Sequence, residues 1–222
     1  MPEFASPEPI TAIVEVVAGS VRLTADDRED TVVEIRPRDS SRSSDVRAAE
    51  QAHIDFHNNT LKVSAGPKFV ALGRGGAVDI DIALPSRSRL HMSSASADIY
   101  TAGILADSRF SSASGDLELD GIEGRIKADT ASGDVAVRRL TGNALFATAS
   151  GNARIGHLDG GLKFQTASGE LSIERLQGNA QAQTASGSVA ITSAVNGSSL
   201  SSARASRQHG KCSSSIAINR SL

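Results

Sequence analysis

TASGDVAV (residues 130–137), TASGNARI (148–155), TASGELSI (166–173) and TASGSVAI (184–191) open on the same four letters, each 18 residues after the last. With the serine of each copy as origin, steps of 18 give Ser96, Ser114, Ser132, Ser150, Ser168 and Ser186 without an insertion. One more step reaches Arg204 in SSARAS, a degraded copy, and the preceding alanine runs from Ala95 to Ala203. A period this strict is the mark of a repeat architecture.

The apolar residues keep the same beat. Three places after each serine stand Ile99, Leu117, Val135, Ala153, Leu171 and Val189. Five places after stand Thr101, Leu119, Val137, Ile155, Ile173 and Ile191. Such alternation is a strand with one buried face. Eight places after come Ile104, Ile122, Leu140, Leu158, Leu176 and Ala194, and two residues later Gly124, Gly142, Gly160 and Gly178 mark a corner. A second alternating run follows, as in Ala144 and Phe146 or Leu162 and Phe164. Since one extra residue would turn a strand's core face outward, an uninterrupted period predicts stacked, in-register coils. The expected fold is all-β: a single-stranded, right-handed parallel β-helix (a β-solenoid) of 18 residues per coil, with coils about 4.8 Å apart. Right-handedness follows the crossover rule. The left-handed hexapeptide alternative fails because the six-residue step from Leu140 and Phe146 meets Asp134, Asn152 and Glu170.

Within this pattern TASG reads as a corner. Counting parity along Phe164, Gln165, Thr166 turns the threonine inward, while Gly133, Gly151, Gly169 and Gly187 supply the turn. A solvent-facing Thr-x-Ser array, as on an ice-binding solenoid, needs the opposite parity. After the glycine, Asp98, Asp116, Asp134 and Glu170 form an outward acidic row interrupted by Asn152 and Ser188. Stacked carboxylates can hold calcium. The glycine-rich nonapeptide of calcium-binding rolls is missing, however, and Arg138, Arg139, His157 and Arg175 are expected to screen the row. These four acids read as solvated turn residues and weak metal candidates.

Residues 1–90 lack the repeat and read as irregular β coils and a cap, 91–204 as the regular solenoid, and 205–222 as a degenerate last coil with a polar tail. There Ile216 and Ile218 fall in register with Leu162 and Phe164, and Arg207 and His209 replace Leu171 and Ile173. In the first region HIDFHNNTLKVSAG predicts a hairpin turning at Asn58 and Asn59, AVDIDIALP a strand, and SSRSSDVRAAEQA a loop with a short helix. His53, Asp55 and His57 alternate on one strand face and are metal candidates. Three ligands on one flat strand do not converge by themselves, so the bland reading is a wet surface. GRGG at Gly73–Gly76 lacks the Lys-Ser/Thr of a phosphate loop.

Composition narrows function. With 23 basic and 25 acidic residues no global field recruits nucleic acid. There is no Trp and one Tyr, which removes the aromatic platforms of sugar or base binding. The lone Cys212 excludes a disulfide framework and lies in a polar tail. MPEFASPEPI does not read as a signal peptide and no run is long enough to span a membrane, so the expected location is cytoplasmic. The histidines at 53, 57, 91, 157 and 209 are dispersed and no catalytic motif occurs. No enzyme and no cofactor are expected.

AGSVRLTADDREDTVVEIRPRD together with the TASGDV- and TASGEL-type repeats resembles a bacterial adhesin-type β-strand-repeat family, a domain of unknown function, most like its actinobacterial members. The resemblance implies a β-helix without catalytic residues. The function expected is a non-enzymatic interaction scaffold for an unidentified protein partner. Self-association into a polymer, as in the bactofilins, and carbohydrate binding are the alternatives.

Overall fold

A computed structural model describes residues 2–66, 76–195, 199–204 and 217–218. Cys212, Arg207, His209, Ile216 and Gly73–Gly75 lie outside the described residues. The chain opens with β1 (Glu3–Ala5), the long strand β2 (Thr11–Asp26) and β3 (Asp30–Pro37). The helix α1 (Ser43–Glu50) follows, then the hairpin β4 (His53–His57) and β5 (Thr60–Ala65), and β6 (Val78–Pro85). After β7 (Arg89–Leu105) and β8 (Ser108–Ser114), four strands of 16 residues succeed one another: β9 (Leu117–Ser132), β10 (Val135–Ser150), β11 (Ala153–Ser168) and β12 (Leu171–Ser186). β13 (Val189–Ala194), β14 (Ser199–Arg204) and β15 (Ala217–Ile218) complete the order.

The fold is all-β with one long, mostly parallel sheet. β10 pairs in parallel with β11 from Val135↔Ala153 to Ser150↔Ser168, each residue with the one 18 positions on, and β9–β10 and β11–β12 repeat this. The chain therefore returns after every turn to lie one strand further along. In β10 the residues Val135, Val137, Leu140, Ala144 and Phe146 are buried, and their equivalents above and below are too. Burying each large aliphatic or aromatic side chain stabilises by roughly 1.5–3 kcal/mol, so the stacked columns form one continuous core. The corner glycines permit the stacking. At Gly160 φ is +138°, and a Cβ there would fall directly on the Gly142 carbonyl oxygen.

Three details depart from the sequence reading. Between Thr101 and Ile104 the β7–β9 register shifts, so that Leu105 pairs with Ile122 and Ile104 with Gly121. Leu105 is fully buried and takes the inward place expected for Ile104. The cause is a bulge at Gly103, whose φ of +86° suits glycine. The extra residue is lost again before Ser108, so the 18-residue register resumes at Ser108↔Ile126. Second, β14 pairs with β12 at an offset of 20, so that Arg204 lies beside Thr184 instead of Ser186. In the sequence four residues separate Ala194 from Ser199, where two separate Leu176 from Asn179. Third, Ile218 pairs with Ile191 and is out of register with Phe164, because twelve residues separate Arg204 from Ala217.

The N-terminal region is less irregular than its sequence. β2 pairs in parallel with β7 along its length, from Thr11↔Arg89 to Ala25↔Gly103. On its other edge it pairs with β5 along its first half and with β6 along its second. β2 is thus a full coil inserted between one made of β5 and β6 and one begun by β7. Val16, Val17, Ala18 and Gly19 stand beside Ser94, Ala95, Ser96 and Ala97, the place of TASG in the later coils. Beyond β5 and β6 the direction reverses: β4 is antiparallel to β5, β3 to β6, and β1 to β3. The Phe4 and Phe56 rings stack at 5.0 Å over this end. Buried Asp45 of α1 accepts the Ala77 N–H at 3.1 Å, fastening the helix to the strand it covers. Among the described residues no helix is long and apolar enough to cross a membrane.

Candidate functional site

The threonines of TASG point inward. Thr130, Thr166 and Thr184 are buried, whereas Ala131, Ala149, Ala167 and Ala185 and the serines beside them are exposed. Further down the same column Ser94 donates to Ser112 at 2.9 Å, and Ser112 is bonded to the Ser114 carbonyl at 2.9 Å. Thr130 donates to the Ser132 carbonyl at 3.2 Å. The buried hydroxyls of Thr148, Thr166 and Thr184 have no hydrogen-bond partner. Among the described residues there is no surface Thr-x-Ser array, because the threonine column belongs to the core edge.

The acidic row also serves the backbone. The Asp98 carboxylate accepts the Asp116 N–H at 3.1 Å, and Asp116 accepts the Asp134 N–H at 2.8 Å. Asp134 accepts both the N–H of Asn152 at 2.8 Å and its side-chain amide at 3.1 Å. Asn152 in turn accepts the Glu170 N–H at 3.0 Å. Each short acceptor therefore holds the N–H of the equivalent residue one coil on, a corner bond that would otherwise be left to water. Asn152 does not interrupt this relay, since an amide oxygen accepts as a carboxylate does.

The basic residues expected to screen this row stand elsewhere. Arg138, Arg139, His157 and Arg175 lie at the far end of the strand segment, four or five residues along the coil from the row, and line a different groove. Arg138 is ion-paired with Asp120 and holds that carboxyl below its ordinary range, while the same bond raises the guanidinium. Arg139, His157 and Arg175 pair in register as one column. His53, Asp55 and His57 are exposed on β4 and alternate with the partly buried Ile54 and Phe56. Among the described residues no three His, Cys, Asp or Glu side chains are gathered as metal ligands.

What the sequence reading missed is relief. A groove of about 930 Å³ runs over the coils along Thr130, Ala131, Thr148, Ala149, Thr166 and Ala167. It exists because three successive positions of each coil beneath it carry small or short side chains, a signal visible in ATAS and QTAS once their spacing is noticed. A second groove of about 440 Å³ passes Tyr100, Glu118, Arg138 and Arg154. Both are long and repetitive in lining, a shape suited to an extended contact.

No curated protein sequence matches this chain significantly. The solved structures to which it shows similarity include a candidate adhesin from Bacteroides fragilis NCTC 9343, at 11% identity and a TM-score of 0.45, covering 90% of this chain and 95% of that one. Another is a candidate lipid-binding protein from Parabacteroides distasonis ATCC 8503, at 12% identity and a TM-score of 0.35, covering 100% and 96%. The Toastrack DUF4097 family model matches residues 13–219. With nearly all of its coils inside that match, the chain belongs to the Toastrack DUF4097 family.

Proposed function

We propose that the chain is a right-handed β-solenoid of 18-residue coils that acts without catalysis as a protein-interaction scaffold, of adhesin-like type. The observation that carries this reading is the 930 Å³ groove, whose lining repeats from coil to coil. A rigid repeated face of this kind presents extended area to a partner. Assembly by coil-on-coil polymerisation has less support, because antiparallel β3 and β4 close the N-terminal end of the parallel stack. A photo-crosslinking residue placed at Ala149 or Ala167 tests the reading against one at Lys163, outside the groove. The scaffold reading expects one protein product from the groove positions alone, lost on adding Ala131→Arg. Equal labelling from all three positions, or none, would overturn it.

A further inference from the structure

The edge strand β4 has the sequence His53-Ile54-Asp55-Phe56-His57, a chemical palindrome about Asp55. It pairs only with β5 in the sheet, so its outer edge is unpaired among the described residues. The hairpin turns through Asn58 and Asn59, with φ of 49° and 53°, a two-residue turn of the primed type. In such a hairpin the flanking pair His57↔Thr60 is the hydrogen-bonded one, and bonded pairs then alternate. His53, Asp55 and His57 therefore direct their backbone groups to β5. Ile54 and Phe56 direct theirs to the open edge.

We propose that β4 binds a divalent transition metal, zinc by ligand type, in a site completed by β4 of a second copy. Antiparallel pairing about a two-fold axis at Asp55 sets Ile54 against Phe56 of the partner subunit as the hydrogen-bonded pair. It also places His53 beside the partner's His57, and Asp55 beside the partner's Asp55. Both are non-hydrogen-bonded pairs, in which Cβ atoms stand about 4.5–5.5 Å apart on one face. Each end of this grid then offers two imidazoles and a central carboxylate, a nitrogen–oxygen donor set that suits tetrahedral zinc with water as the fourth ligand. One chain alone cannot close the site. Its two histidines are four residues apart on an extended strand, about 13 Å by strand rise.

The same geometry explains why the edge stays open without metal. The two Asp55 carboxylates meet as like charges, with only Lys62 opposite Asp55 on β5 to offset them, and charged edges resist pairing. Few backbone bonds join two strands so short. A cation reverses the sign of the central contact. The resulting dimer is closed and joins the two N-terminal ends. It does not depend on the scaffold reading, which concerns a different face.

Sedimentation of the full chain with one equivalent of zinc, against the same chain in chelator, tests this. The expected result is a monomer in chelator and a dimer in zinc, tighter by roughly 100-fold, with one zinc per chain. His53→Ala and His57→Ala should each remain monomeric in zinc with unchanged melting, since both side chains are exposed. Mixing these two variants should restore a metal-dependent dimer, because their pairing reassembles one intact site. A dimer in chelator, zinc taken up by the monomer, dimers of either single variant, or failure of the mixture would each overturn the proposal.

Discussion

The coils from β9 to β12 and the coil formed by β2 are built alike, yet only the first group announces itself. In β9–β12 threonine, alanine, serine and glycine mark the same corner in each copy, at a constant 18 residues. In β2 the corner is Val16-Val17-Ala18-Gly19, and it lies 78 residues before its neighbour in β7, which is not a multiple of 18. The two regions share what the geometry demands. An apolar or hydroxyl side chain points inward, and two places on a small residue precedes glycine. Identity of the other letters is dispensable, and so is sequential stacking.

This comparison breaks most readily at the glycines. Gly160→Val places a side chain on the Gly142 carbonyl at a positive φ and should cost about 3 kcal/mol or more in urea unfolding. Gly19→Val meets the Val78 carbonyl in the same way, at φ +129°, and should cost as much. If it were mild, β2 would not belong to the stack. Asp134→Ala removes the acceptor of two Asn152 donors and should cost about 1–2 kcal/mol, with Asp134→Asn costing less because its oxygen can still accept the Asn152 N–H. Thr166→Val should stabilise by up to about 1 kcal/mol, since its buried hydroxyl has no partner and valine already fills this column at Val16.

The smallest effect is in acid. Arg138 keeps the folded Asp120 carboxyl below the 3.8 it has when free, so the stabilisation is whole above that pH and is lost as pH falls through the folded value. Asp120→Asn should lower the melting temperature at neutral pH and leave it nearly unchanged in acid, so that the acid limb flattens as read from melting temperature against pH.

The solenoid was legible because an unbroken period leaves few alternatives, and the inward columns could be counted from Ser132. Leu105 was not, since the bulge at Gly103 is compensated within a few residues and leaves the period intact on paper. The acidic row was visible as Asp98, Asp116, Asp134 and Glu170, but its work is done on backbone N–H groups one coil away. That link appears only when the register is known. The misplaced screening by Arg138 and Arg139 has the same origin: sharing a coil is not sharing a corner.

The insertion of β2 is the claim on which both regions meet, and paired spin labels test it most directly. Arg22 lies beside Asp81 on one side and beside Tyr100 on the other. In a Cys212→Ser background, labels at Arg22 and Tyr100 should be one strand spacing apart, about 5 Å, and strongly broadened, while labels at Asp81 and Tyr100 should be about 10 Å apart and weakly so. Strong coupling between Asp81 and Tyr100 with none from Arg22 would mean that β6 and β7 stack directly, and that β2 lies outside the ladder.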